Sequence, residues 1–84
     1  MSHRANPSFW KCYNRLPANI QKLADENFAG LKKDPRHPSL HLKKVGCHWS
    51  VRVGNHYRAV GVESARGIAW YWIGTHAEYD KLTR

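Results

Sequence analysis

The residues best suited to chemistry stand near the C-terminus, in Gly74-Thr75-His76-Ala77-Glu78-Tyr79. Thr75 and Glu78 have the S/T-x-x-E spacing of a capping box. In that motif the threonine hydroxyl accepts from the backbone N–H of the glutamate, and the glutamate reaches back. A short helix from His76 to about Leu82 should follow. His76 then falls in the first turn, where the positive end of the helix dipole favours the neutral ring that a general base needs. The same helix start offers backbone N–H groups to a phosphate. Tyr79, one turn after Thr75, could hydrogen-bond a phosphate or stack on a base. Both residues also fit plainer roles, His76 as a polar first-turn side chain and Tyr79 as a ring packed under the helix.

Cationic side chains gather upstream. Between Asp34 and Glu63 there is no carboxylate, while Arg36, Lys43, Lys44, Arg52 and Arg58 occur there with His37, His41, His48 and His56. The chain as a whole has 14 Lys and Arg against 6 Asp and Glu, a formal net charge of +8. That balance suits a polyanionic partner, although a basic face kept for solubility is the plainer alternative. His48, Ser50 and Arg52 alternate with Trp49, Val51 and Val53, so each set shares one face of a strand. If helices cover the Trp side, the Arg side stays open as a surface for RNA or phosphate.

Other chemistries find little support. The only histidines four apart, His37 and His41, bracket Pro38 and lack the glutamate of HExxH, and Cys12 and Cys47 are far apart, so neither a metal site nor a cofactor is expected. There is no Gly-rich phosphate loop and no GxSxG elbow, and Ser, Thr and Asp are too sparse to favour a hydrolase triad. The longest apolar run, Ile68 to Ile73, falls far short of the ~20 residues of a membrane span. Met1-Ser2-His3-Arg4 lacks the apolar stretch of a signal peptide. A cytoplasmic protein with two buried thiols is therefore expected. At 84 residues it should be a single domain, 1–84, with its site in an open groove rather than a deep pocket.

Elements must position these groups. Asn6-Pro7 is a helix start, and Phe9, Trp10, Tyr13 and Leu16 follow at helical spacing. Pro17 opens a second helix with an apolar stripe of Ile20, Leu23, Ala24, Phe28 and Leu31. Its other face carries Lys22, Asp25, Glu26 and Lys33, and Asp34-Pro35 stops it. The period then changes to two. Leu40 and Leu42, then Trp49, Val51 and Val53, mark two strands with a turn at Gly46. Tyr57 to Val62 follows the Gly54-Asn55 turn, and Ile68 to Ile73, apolar on both faces, reads as a central strand. The order predicts an α+β fold, a helical hairpin on a mainly antiparallel sheet of about four strands with a short C-terminal helix.

Taken in order, five segments resemble the RelE/ParE superfamily of bacterial type II toxin–antitoxin toxins. They are the helical hairpin, Asp34-Pro35-Arg36-His37-Pro38-Ser39-Leu40, Trp49-Ser50-Val51-Arg52-Val53, His56-Tyr57-Arg58-Ala59-Val60 and Trp72-Ile73-Gly74-Thr75-His76-Ala77-Glu78-Tyr79. The likeness runs from about Phe9 to Leu82, and Gly74-Thr75-His76-Ala77 looks like the GTHA segment of the YafQ-like branch. It implies a curved sheet under the hairpin, an acidic antitoxin as partner, and cleavage of mRNA, often on the ribosome, without metal. In such cleavage a base helps the ribose 2′-OH attack the adjacent phosphate, a cation stabilises the phosphorane, and an acid protonates the leaving oxygen. The resemblance points to His76, Arg58 and Arg52 as catalytic residues and to His37 and the Lys43–Lys44 pair as further site residues. The residue pattern itself adds Tyr79 to the catalytic set, and Arg36 and His48 join His37, Lys43 and Lys44 as RNA-binding residues. The strand glutamate of the YoeB-like branch has no counterpart in the acid-free stretch. Lys43 and Lys44 match the paired lysines of RelE only as neighbours that point to opposite faces. A ParE-like gyrase poison and a non-enzymatic RNA-binding module are the rival readings.

Overall fold

The hairpin forms where the proline spacing puts it. In a computed structural model that describes residues 2–34, 36, 37 and 40–82, helix α1 spans Pro7–Tyr13 and helix α2 spans Ala18–Lys33. Pro7 occupies the first turn of α1, and the Asn6 carbonyl, not its side chain, receives the Phe9 and Trp10 N–H groups. Ala24 and Leu31 of the α2 stripe are fully buried, Leu23 and Phe28 partly so, and Lys22, Asp25, Glu26 and Lys33 face solvent.

The sheet has five strands and not four: β1 (Ser2–Ala5), β2 (Lys43–Val45), β3 (His48–Val53), β4 (Tyr57–Ser64) and β5 (Gly67–Thr75), in the order β1-β5-β4-β3-β2. Strand β1 runs parallel to β5, and the other pairs are antiparallel. Ser-His-Arg-Ala carries no apolar alternation, so β1 has no signature of its own. The unpaired edge of β5 makes it a strand, through the Ser2 to Ala5 register with Gly67 to Trp70. Leu40 is buried as expected, but the strand begins only at Lys43. His41 has φ 47°, a left-handed conformation that breaks the extended run. Gly54, at φ 62°, supplies the turn between β3 and β4.

Register sorts the strands into two faces. Trp49, Val51, Val53, Tyr57, Ala59, Ile68, Trp70 and Ile73 share the face toward the helices. Trp70 is wholly buried there, edge-on to Phe28 with ring centroids 5.7 Å apart, and its indole N–H donates to His3 Nδ1 at 3.2 Å. Gly61 makes room for it: a Cβ there would stand 2.6 Å from Ile68 and 3.0 Å from Trp70. The second face carries Lys43, His48, Ser50, Arg52, Arg58, Val60, Val62, Ala69 and Trp72. Helix α3 (His76–Leu82) leaves the end of β5 and reaches this face.

Candidate active site on the second sheet face

The capping box closes in full. Glu78 N–H donates to Thr75 Oγ1 at 3.1 Å, and the Glu78 carboxylate accepts from Thr75 N–H at 2.9 Å and from its hydroxyl at 3.0 Å. These donors, backbone N–H first, hold the Glu78 carboxyl below the usual range, so it is ionised at neutral pH and cannot serve as a proton donor there. His76 N–H is taken by the His56 carbonyl at 2.7 Å. The Thr75, His76 and Glu78 N–H groups at the helix start are therefore already taken by protein acceptors, which corrects the expectation that they stand open to a phosphate.

His76 itself is exposed, its side chain 55% accessible, with Nδ1 3.3 Å from Asp80 Oδ2 one turn on. A carboxylate at Nδ1 orients the ring and leaves Nε2 as the nitrogen for proton transfer. The Tyr79 ring links it to the sheet. The His76 and Tyr79 rings are 6.1 Å apart, and the Arg58 guanidinium carbon lies 5.0 Å from the Tyr79 centroid. Three of the four expected catalytic residues are thus gathered at one end of β4 and β5.

Arg58 is the unusual member. It is only 8% exposed, its Nη2 donates to the buried Ser50 hydroxyl at 3.0 Å, and its Nε has no partner. Among the described residues no carboxylate pairs with it. Burying an unpaired ion costs several kcal/mol. A desolvated cation–π contact returns about 2 kcal/mol, and a hydrogen bond to a charged group about 1.5–3 kcal/mol. The balance is close to even, with Nε buried and left without a partner. An anion drawn to the guanidinium would offset the remaining cost.

Arg52 stands directly across from Arg58 in the β3–β4 register, but its guanidinium is already engaged. Nε donates to the Gly54 carbonyl at 3.0 Å, Nη2 to Asn55 Oδ1 at 2.9 Å, and Nη1 lies 3.4 Å from His41 Nε2. It clamps the β3–β4 turn. Lys43 and the exposed His48 share the face of Arg58. Lys44 lies on the other face, over the Trp49 ring at 5.7 Å and paired with Glu63 at 2.8 Å. Arg36 and His37 are exposed in the loop after α2, and His37 lines a hollow with Glu26, Lys33 and Asp34 rather than joining the Arg58 group.

Two features escaped sequence reasoning. Ser50 reads as an ordinary polar strand residue, yet it is 4% exposed and holds Arg58. Tyr71 and Trp72 read as alternating core residues. A register shift between Val60 and Gly61 instead gives β5 one extra residue, because Val60 pairs with Trp72 and Gly61 with Trp70. The bulge turns Tyr71 to the second face, where its ring meets His48 at 6.3 Å. No turn residue announces such a bulge. Burial, with Cys47 adding a smaller push, raises the Tyr71 hydroxyl above its ordinary range, so it stays a neutral donor. Cys47 is exposed in the β2–β3 turn and Cys12 half-buried, which corrects the expected pair of buried thiols. Among the described residues no three His, Cys, Asp or Glu side chains cluster closely enough to hold a metal ion. No described helix is long and apolar enough to cross a membrane.

The family model of the ParE-like toxin domain matches residues 18–81, which takes in α2, four of the five strands and most of α3. The chain belongs to the ParE-like toxin family. This places it in the RelE/ParE toxin superfamily, as the resemblance implied. Among solved structures it is similar to a chain of the RelB–RelE antitoxin–toxin complex of Methanococcus jannaschii, at TM-score 0.72 and 17% identity over 95% of this chain and 98% of that one. The YoeB/ParE toxin of Agrobacterium tumefaciens follows at TM-score 0.67 and 18% identity, covering 90% and 99%. The isolated RelE toxin of E. coli superposes at TM-score 0.63 and 11% identity, covering 98% and 95%. At such identities the likeness is one of fold. No curated protein matches the sequence significantly.

Proposed function

We propose that this chain is the toxin of a toxin–antitoxin pair and that it cleaves mRNA by acid–base chemistry on the second sheet face. The observation that carries the reading is Arg58, a buried guanidinium with an unpartnered Nε and, among the described residues, no carboxylate partner, set against the Tyr79 ring that also meets His76. In the reaction the ribose 2′-oxygen attacks the adjacent phosphorus and the bond to the 5′-oxygen breaks. A 2′,3′-cyclic phosphate and a 5′-hydroxyl result. Arg58 stabilises the phosphorane charge, His76 takes or gives the proton, Tyr79 orients or stacks, and Arg52 keeps the neighbouring turn in place. Lys43 and His48 hold the RNA on the same face. Lys44, Arg36 and His37 lie off that face and belong to a wider contact, such as a ribosome would offer. The net charge of +8 also calls for masking in a resting cell, which suits an acidic antitoxin. The likeness to a chain of the RelB–RelE complex supports such a partner. A cytoplasmic site of action follows from an mRNA substrate.

One observation favours a second reading: the matching family model is ParE-like, which points to poisoning of DNA gyrase without a nuclease site. Expression from a tight promoter, with RNA 5′ ends mapped beside a His76→Ala variant, separates the two. Codon-phased cuts that vanish in the variant support the nuclease. Growth arrest with intact mRNA and induced DNA damage supports the gyrase reading. Absence of toxicity contradicts both.

A further inference from the structure

The bulge in β5 sets Tyr71 and Trp72 on the same side of the sheet in succession, where unbroken alternation would send them to opposite sides. Gly74 lets the second ring lie flat along the strand, since a Cβ there would meet the Trp72 ring at 2.5 Å. The first ring stays half-buried and meets the exposed His48 at 6.3 Å, with planes at 65°. His48 belongs to the acid-free stretch, and along β3 it stands two residues from Ser50, which holds Arg58. One pleat repeat, about 6.6 Å, therefore separates the ring pair from the row of Ser50 and Val60. A bulge beside a site re-aims a side chain at a local cost in ladder hydrogen bonds. The helix-covered core gains nothing from this one, because Tyr71 leaves it.

We infer that Tyr71 and His48 form a stacking platform for one unpaired nucleobase of single-stranded RNA, next to the phosphate held at Arg58. The inference rests on the RNA reading above and adds a base subsite to it. Stacking fits because every base has an aromatic face and the platform carries no carboxylate of its own. Tyr71 is thus a residue that sets affinity, and it takes no part in proton transfer.

The test uses the full chain and a single-stranded hexanucleotide with 2′-O-methyl riboses, which binds but offers no nucleophile, and with 2-aminopurine at each position in turn. Stacking quenches 2-aminopurine emission. At one position the wild-type protein should quench it. Tyr71→Phe should keep both quench and affinity. Tyr71→Leu, which keeps apolar bulk, should lose the quench and bind roughly 5- to 150-fold more weakly. An abasic nucleotide at that position should cost the wild type the same factor and cost Tyr71→Leu nothing further. If Tyr71→Leu does not fold, the exposed His48→Ala carries the test with the same signs and a smaller loss. Wild-type affinity and quench in the Leu variant, or in its His48 substitute, overturn the platform alone. No binding by the wild-type protein overturns the RNA reading and the platform together.

Discussion

The two faces of the sheet are built from alternate residues of the same strands, yet they obey different rules. On one face Trp70 is wholly buried, packed edge-on to Phe28, with its single polar atom bonded to His3. On the other, Arg58 is almost as deeply buried, with no acid paired to it among the described residues and its Nε without a partner. The first face satisfies its largest buried side chain and, among the described residues, leaves one uncharged donor, the Trp49 indole N–H, without a partner. The second buries a charge and leaves it unsatisfied, which folding alone does not favour. Burial by itself therefore does not separate structural from functional residues here. A buried charge without a partner does.

Substitutions on each face should break that contrast in opposite ways. The largest effect is expected from Trp70→Ala, which removes the biggest fully buried side chain. The loss of about 3–5 kcal/mol is a large share of the roughly 4–13 kcal/mol available to 84 residues. Urea unfolding should show a collapsed midpoint, with every activity lost alongside the fold. His76→Ala should do the reverse. Cleavage should fall by about 10²- to 10⁴-fold, while the exposed site keeps stability within about 0.5 kcal/mol, read from cleavage rates and thermal melts on one preparation. Smaller is the effect of Arg52→Met, which frees the β3–β4 turn. A stability loss near 1 kcal/mol is expected, with cleavage down less than tenfold. A hundredfold drop at unchanged stability would move Arg52 from clamp to catalyst.

The smallest effect concerns pH on the helix-covered face. His3 accepts the Trp70 indole N–H, and burial, with the N-terminus and Lys32 adding to it, pushes its pKa below 6.5. The unfolded chain then binds the extra proton more readily, so stability rises with pH across that window. The His3 contribution is intact above about 6.5 and fades as pH falls through the lowered folded value. Thermal melts should show a lower Tm at pH 5 than at pH 7.5. His3→Gln, which keeps an acceptor and does not titrate, should flatten that slope.

Much of this arrangement is legible in the sequence, and the reasons are physical. The α2 stripe, the alternation through Trp49, Val51 and Val53, and the Thr75–Glu78 box each carry a period or spacing that one conformation satisfies. Strand β1 and the β5 bulge carry none. The first takes its conformation from a neighbour's free edge, and the second arises from pairing two long strands around Gly61. The same limit applies at the site. His76, Tyr79 and Arg58 could be named from local pattern and resemblance, and the fold brings them together. That Arg52 is tied to a turn, that Lys44 lies on the other face, and that Ser50 holds Arg58 depend on register and on where long side chains come to rest.

The central claim is that Arg58 is kept buried and unpaired to hold a phosphate. Arg58→Met tests it most directly, because methionine fills much of the same volume without the charge. One preparation should be measured twice, for thermal stability and for cleavage of single-stranded RNA. The account predicts a Tm equal to or above that of the wild type, since a desolvated charge is removed, together with a loss of cleavage of about 10²- to 10³-fold. A variant that melts well below the wild type, or one that cleaves at the wild-type rate, would contradict it.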